Sequence, residues 1–189
     1  MSDERYAVEP ASREGDPSAG GEPTAYRIEA VTEANLDHYR AVRLAMLLDA
    51  PRAFGSTYAG VVAHPRDWWL ARITTCPTWL AWEGDRPVGS VGMGRHEGCV
   101  SDETSLIGMW VAAPARGRGV AERLVQQVLD AAASEGWRTV TLDVAEENHQ
   151  ARRLYERMGF TPTGRTWRNE VVDGGVDEVE LAVRLGHGG

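Results

Sequence analysis

The chain has 189 residues, 42% of them hydrophobic and 25% charged, with 28 carboxylates against 20 arginines and no lysine, for a net charge of −8. That length sets one domain as the expectation, and the apolar share is enough for a core. The acidic balance lacks the basic face that nucleic-acid binding needs, and the missing lysine excludes a Walker-type phosphate loop, which requires G-x-x-x-x-G-K-[ST].

Residues 1–24 hold six carboxylates against Arg5 and Arg13, a net −4, and few large apolar groups. Such a segment cannot offset its ordering entropy, so it is expected to be a disordered acidic tail. The folded domain is expected over 25–186, with 187–189 a short C-terminal tail. A first strand is predicted at about 26–31. A helix over about 32–48 follows, where Leu36, Tyr39, Val42/Arg43 and Met46/Leu47 recur at helical spacing. Residues 51–58 read as a loop carrying Phe54 and Tyr58. A second helix over 66–73 carries Trp68 and Trp69, which are adjacent and therefore cannot point the same way. Strands at about 78–83 and 87–96 flank Gly84-Asp85, a hairpin signal.

An apolar strand predicted over 105–112 leads through a turn into Arg116-Gly117-Arg118-Gly119-Val120-Ala121. The helix behind that loop, to about residue 135, sets Val120, Leu124, Val125, Val128, Leu129 and Ala132 on one face. Strand, glycine loop and helix in that order direct unpaired backbone N–H groups and a positive helix end at an anion. A dinucleotide fingerprint wants a third glycine where this chain has Glu122, whose carboxylate would repel a pyrophosphate. A fifth strand at 139–144 precedes Asn148-His149-Gln150-Ala151-Arg152-Arg153-Leu154-Tyr155-Glu156-Arg157-Met158-Gly159-Phe160. Asn148 suits an N-cap, Ala151, Leu154, Tyr155 and Met158 form one helical stripe, and Gly159 suits a helix end that needs positive φ. Strands at 163–172 and 176–185 close the chain around Asp173-Gly174-Gly175.

Arg116, Gly119 and Ala121 fit R/Q-x-x-G-x-G/A, and residues 148–160 match N-x-x-A-x-x-L-Y-x-x-x-G-F at every lettered position. On these two motifs the chain resembles the GNAT superfamily of acetyl-CoA-dependent N-acetyltransferases. The resemblance implies an α/β fold: a mixed, mostly antiparallel sheet of six to seven strands flanked by helices, splayed between the fourth and fifth strands. It implies acetyl-CoA as co-substrate, contacted by Met109, Trp110, Val111, Arg116, Gly117, Arg118, Gly119, Val120, Ala121, Asn148 and Tyr155. Tyr155 is implied as the general acid that protonates the departing thiolate. Many relatives carry a Glu where this chain has Ser105, so the general base is open among Asp102, Glu103, His96 and a water chain. Phe54, Tyr58, Trp68 and Trp69 fall where relatives build the acceptor pocket. The acids of the final hairpin, Glu170, Asp173, Asp177, Glu178 and Glu180, read as a solvated edge or a rim that attracts cations.

The expected activity is acetyl transfer to a primary amine of a small molecule, by direct attack. Protein N-terminal or lysine acetylation and a non-catalytic CoA-binding sensor are the alternatives. No metal, nucleic-acid partner or membrane partner is expected, and the chain is expected to be a monomer or homodimer. Cys76 and Cys99 share no metal spacing, no apolar run reaches the roughly 18 residues of a membrane span, and the N-terminus lacks a signal-peptide layout. A cytoplasmic location is therefore expected.

Overall fold

The computed structural model describes residues 26–95, 100–171 and 174–186. Among the described residues there are seven strands: β1 (Arg27–Ala30), β2 (Thr78–Glu83), β3 (Arg86–Gly94), β4 (Glu103–Val111), β5 (Thr139–Ala145), β6 (Thr161–Asn169) and β7 (Val176–Arg184). They form one sheet in the order β1-β2-β3-β4-β5-β7-β6. Every neighbouring pair is antiparallel except β4–β5. The helices are α1 (Leu36–Asp49), α2 (Tyr58–Val61), α3 (Arg66–Thr75), α4 (Val120–Ser134) and α5 (His149–Arg157).

Each face of the sheet has its own core. On one side Val120, Leu124, Val125, Val128 and Ala132 of α4 and Tyr155 of α5 pack with Val91, Leu106, Val140, Leu142 and Leu181 from the strands. On the other, Leu36, Tyr39, Val42, Met46 and Leu47 of α1 and Trp69 of α3 pack with Leu80 and Trp82 of β2. This layering follows the helical stripes in the sequence, because each amphipathic helix can bury only one face.

The fourth and fifth strands part as the resemblance implied. β4 and β5 pair only at Glu103↔Thr139, Thr104↔Val140 and Ser105↔Thr141. Beyond that rung β4 stays with β3 to Val111 and β5 stays with β7 to Ala145, so a wedge opens between them. β4 also contains a bulge: Ser90 faces Trp110 while Gly92 faces Ile107, and Gly108 takes a φ of +59°. The extra residue resets the alternation of side chains, so Leu106, Met109 and Val111 all face the α4 core. Trp110 goes to the α1 side.

The elements differ from expectation in small ways. α1 is preceded by a 3₁₀ turn, Glu33–Asn35, where Thr32 N–H donates to Asn35 Oδ1 at 2.8 Å. A one-turn helix, α2, occupies part of what read as loop, capped by Thr57 Oγ1 accepting from Gly60 N–H at 3.1 Å. β6 begins at Thr161 and includes Pro162, which is tolerated because β6 is an edge strand. The tails expected at 1–24 and 187–189, and residues His96, Cys99 and Asp173, lie outside the described residues.

Candidate active site

The wedge forms a cleft of about 650 Å³. One wall is the bulged end of β4, with Ile107, Gly108, Met109, Trp110 and Val111; the other is β5, with Asp143, Val144 and Ala145. The loop before α4 contributes Arg116, Gly117, Gly119 and Ala121, and α5 contributes Asn148, Ala151, Leu154 and Tyr155. Two of the residues implied as cofactor contacts do not line this cleft. Arg118 pairs with Glu83 at 2.9 Å and lies over the Tyr26 ring, and Val120 is buried in the α4 core.

The loop is shaped for an anion. Gly117 and Gly119 have φ of +72° and +79°, where a Cβ costs about 1–2 kcal/mol, and nothing lies within 4 Å of a Cβ built on either. Gly119 caps α4, whose first N–H groups have no intrahelical acceptor. The open, glycine-turned cradle beside the parted strands fits a pyrophosphate followed by a pantetheine arm. Arg116 is engaged elsewhere: its Nε donates to Val111 O at 2.9 Å and its Nη2 to Asp49 Oδ2. Trp110 Nε1 donates to the same Asp49 oxygen at 2.8 Å. These contacts, the Trp110 hydrogen bond foremost, hold the Asp49 carboxyl below its usual range. Arg116 thus braces the loop to the end of α1 and to β4.

α5 places two polar groups on the cleft. Asn148 Oδ1 accepts from Ala151 N–H at 3.1 Å, so its N-cap geometry is as expected. Tyr155 is 6% exposed, sits edge-to-face with Phe160 at 5.8 Å and packs in the α4 core. Burial pushes its phenol well above the ordinary value. The same burial favours its protonated form over the phenolate.

The general-base candidates that can be located lie at the closed end of the β4–β5 pair. Glu103 accepts from Val100 N–H at 3.3 Å and faces Arg165 at 3.6 Å, and Asp102 faces Arg138 at 4.0 Å. Neither borders the cleft. Of the aromatics suggested for an acceptor pocket, only Phe54 lines it. Trp69 is 1% exposed, edge-on to Tyr39, and Trp68 stacks on His64. Three acids of the hairpin edge pair with arginines of β6: Arg165 reaches Glu180 at 2.7 Å, and Arg168 reaches Asp177 at 2.8 Å and Glu170 at 3.3 Å. Glu178, held by Trp167 Nε1 and Asn169 Nδ2, does border the cleft.

The sequence profile of the acetyltransferase (GNAT) family matches residues 43–160. The chain belongs to that family. This GNAT chain is 31% identical over 93 residues to a 5-NmdU N-acetyltransferase of Pseudomonas phage PaMx11, covering 43% of the chain and 64% of the phage protein. It is 33% identical over 89 residues to N-acetyltransferase 8B of Rattus norvegicus, covering 46% of the chain and 40% of that protein. It therefore spans less than two thirds of these relatives. An N-acetyltransferase from Staphylococcus aureus Mu50 superposes with a TM-score of 0.71 at 19% identity, over 86% of this chain and 99% of that one. An acetyltransferase from Salmonella typhimurium, solved with acetyl-CoA, gives 0.71 at 18% identity, over 87% and 97%. The two solved structures bear on the fold alone.

Two features of the GNAT site were missed from sequence. Asp143 reads there as an ordinary polar residue in a strand, yet the parting of β5 from β4 leaves it bordering the cleft. The loop after α1 lines the cleft through Ala53, Phe54 and Gly55 and is tied to two other turns: Arg52 Nη2 donates to Gly175 O at 3.4 Å, and its Nε lies 3.5 Å from Glu147. Among the described residues, no group of three or more His, Cys, Asp or Glu could hold a metal ion, and no helix is long and apolar enough to cross a membrane.

Proposed function

We propose that this protein transfers the acetyl group of acetyl-CoA to the primary amine of a small molecule by direct attack. The single observation that carries the reading is the wedge, with the glycine loop and the Tyr155 ring on one and the same cleft. The relatives' names, all N-acetyltransferases, support the transfer chemistry. The loop after α1 lines the cleft through Ala53, Phe54 and Gly55, and Arg52 ties that loop to the β6–β7 turn and to Glu147, which supports a compact acceptor.

In this reading the amides of the loop and the start of α4 take the pyrophosphate, and β4 from Met109 to Val111 takes the thioester arm. Asp143 accepts the first proton of the ammonium, directly or through water. The amine nitrogen bonds to the acetyl carbonyl carbon, and the carbon–sulfur bond breaks as the intermediate collapses. Tyr155 gives its phenolic proton to the sulfur and recovers one from the acylated nitrogen, so protons balance. Asp143, on β5, and Tyr155, on α5, both line the cleft. The proposal includes a cytoplasmic setting, supported by two cysteines without disulfide or metal spacing.

The test is thiol release from acetyl-CoA across panels of small amines and of peptides. Release with small amines is expected. Turnover on peptides alone would overturn the small-molecule reading, and binding of CoA with no release on either panel would support a sensor.

A further inference from the structure

Two guanidiniums at the acceptor end of the cleft stand without a carboxylate. Arg43, on α1, is 6% exposed and lines the cleft opposite the Gly108 bulge, where its Nη1 lies 3.5 Å from the position of a Gly108 Cβ. Its described contacts are weak: Nη1 points at Met46 Sδ at 3.7 Å, and the guanidinium lies 5.6 Å from the Phe54 ring centre. Arg72, on α3, lines the same end, with Nε donating to Tyr39 Oη at 3.0 Å and the guanidinium 5.9 Å from the Trp68 ring centre. Neither arginine takes part in an ion pair among the described residues. Nine of the sixteen other described arginines meet a carboxylate, and the chain carries an excess of carboxylates.

A buried cation without a counterion is unfavourable, and two close together repel each other as well. Burial first, and then the Arg72 charge, draw the Arg43 guanidinium down to about 10, so it is still charged at neutral pH. A bound oxyanion would relieve both penalties, and a planar guanidinium suits one with two acceptor oxygens. The opposite wall of the cleft has the complementary sign, with Asp143 on β5 and Glu178 on β7.

We infer that Arg43 and Arg72 form an oxyanion subsite for the acceptor, which is an amine that itself bears a carboxylate or phosphate group. The inference rests on the proposed acetyl transfer. The ammonium end of such a molecule faces Asp143 and Glu178, its anionic end faces the two arginines, and the Gly108 bulge lies between. Gly108 keeps the floor low there, because any side chain would approach Arg43.

The experiment compares the wild-type chain on paired acceptors: the L-α-amino acids against their amides, and 2-aminoethyl phosphate against ethanolamine. The anionic member of a pair is expected to be preferred ~10–100-fold in kcat/KM, the range of hydrogen bonds to charged groups. Preference in the first pair identifies a carboxylate, in the second a phosphate. Arg72→Gln, at a half-buried site, should erase the preference while acetyl-CoA affinity stays within ~2-fold; Arg43→Lys should keep part of it and Arg43→Gln none. Equal turnover of charged and uncharged members, or an equal loss on both in Arg72→Gln, would overturn the subsite. If no amine releases thiol, acetyl transfer fails and the subsite is decided by calorimetry with CoA present. Binding of either anionic amine that Arg72→Gln abolishes sustains it, and no binding ends it.

Discussion

Ser105 Oγ and Thr141 Oγ1 lie 2.7 Å apart on the last paired rung of β4 and β5. Both residues are buried, at 1% and 0% exposure. Their contact marks the apex of the wedge. Thr141→Val keeps the shape but deprives Ser105 of that partner, so a loss of about 1–3 kcal/mol is expected. Chemical denaturation measures it. An unchanged midpoint would mean that the apex does not depend on this pair.

Tyr155→Phe should lower kcat by ~10²–10⁴-fold, with acetyl-CoA affinity nearly unchanged. Because burial raises the phenol, no loss of rate from its ionisation is expected below about pH 10. The sign for stability is the same. The raised value favours the neutral form in the fold, so its contribution is complete below the ordinary phenol value and fades as pH climbs toward the folded one. A kcat–pH profile and a pH series of unfolding midpoints check both. A kcat in Tyr155→Phe equal to wild type at every pH would remove Tyr155 from the mechanism.

Gly119 separates two effects that a single substitution would merge. Its φ of +79° makes Gly119→Ala cost about 1–2 kcal/mol of stability, while the open space around it leaves room for a methyl group. Gly119→Glu adds a carboxylate at the cradle and should abolish acetyl-CoA binding by calorimetry. Retained affinity in the Glu variant would refute the loop as the pyrophosphate site.

Asp49 holds Trp110 and Arg116 together at the end of α1. Asp49→Ala should weaken acetyl-CoA binding several-fold, since the loop brace is lost. The same weakening should develop in wild type as pH falls below the usual carboxylate range, because the depressed folded value keeps the ion pair until then. Tighter binding in Asp49→Ala would instead make Arg116 a phosphate ligand that Asp49 holds back.

Much of this was legible in the chain. The stripes of α4 and α5 and the Asn148 cap are local patterns, and local patterns survive folding when a helix buries one face. The α2 turn was not, because four residues containing Gly60 carry no period. The β4 bulge was also hidden, since Gly108 within an apolar run looks like any strand glycine until its partner strand is known. Trp68 and Trp69 show the same limit: adjacency says they diverge, but only packing decides that Trp69 is core. Asp143, Arg43 and Arg72 come from three separate elements, and their shared cleft is a product of topology that no spacing encodes.

The strap made by Arg52 joins three turns: the one after α1, the one between β5 and α5, and the one between β6 and β7. The glycine loop proposed to take the pyrophosphate makes none of these contacts. A lineage could therefore redraw its choice of amine by altering connecting segments alone, while the strands and helices proposed to hold the acetyl donor are inherited unchanged. The arginine at position 52, half exposed and joined by long contacts, is the sort of latch such divergence would move first.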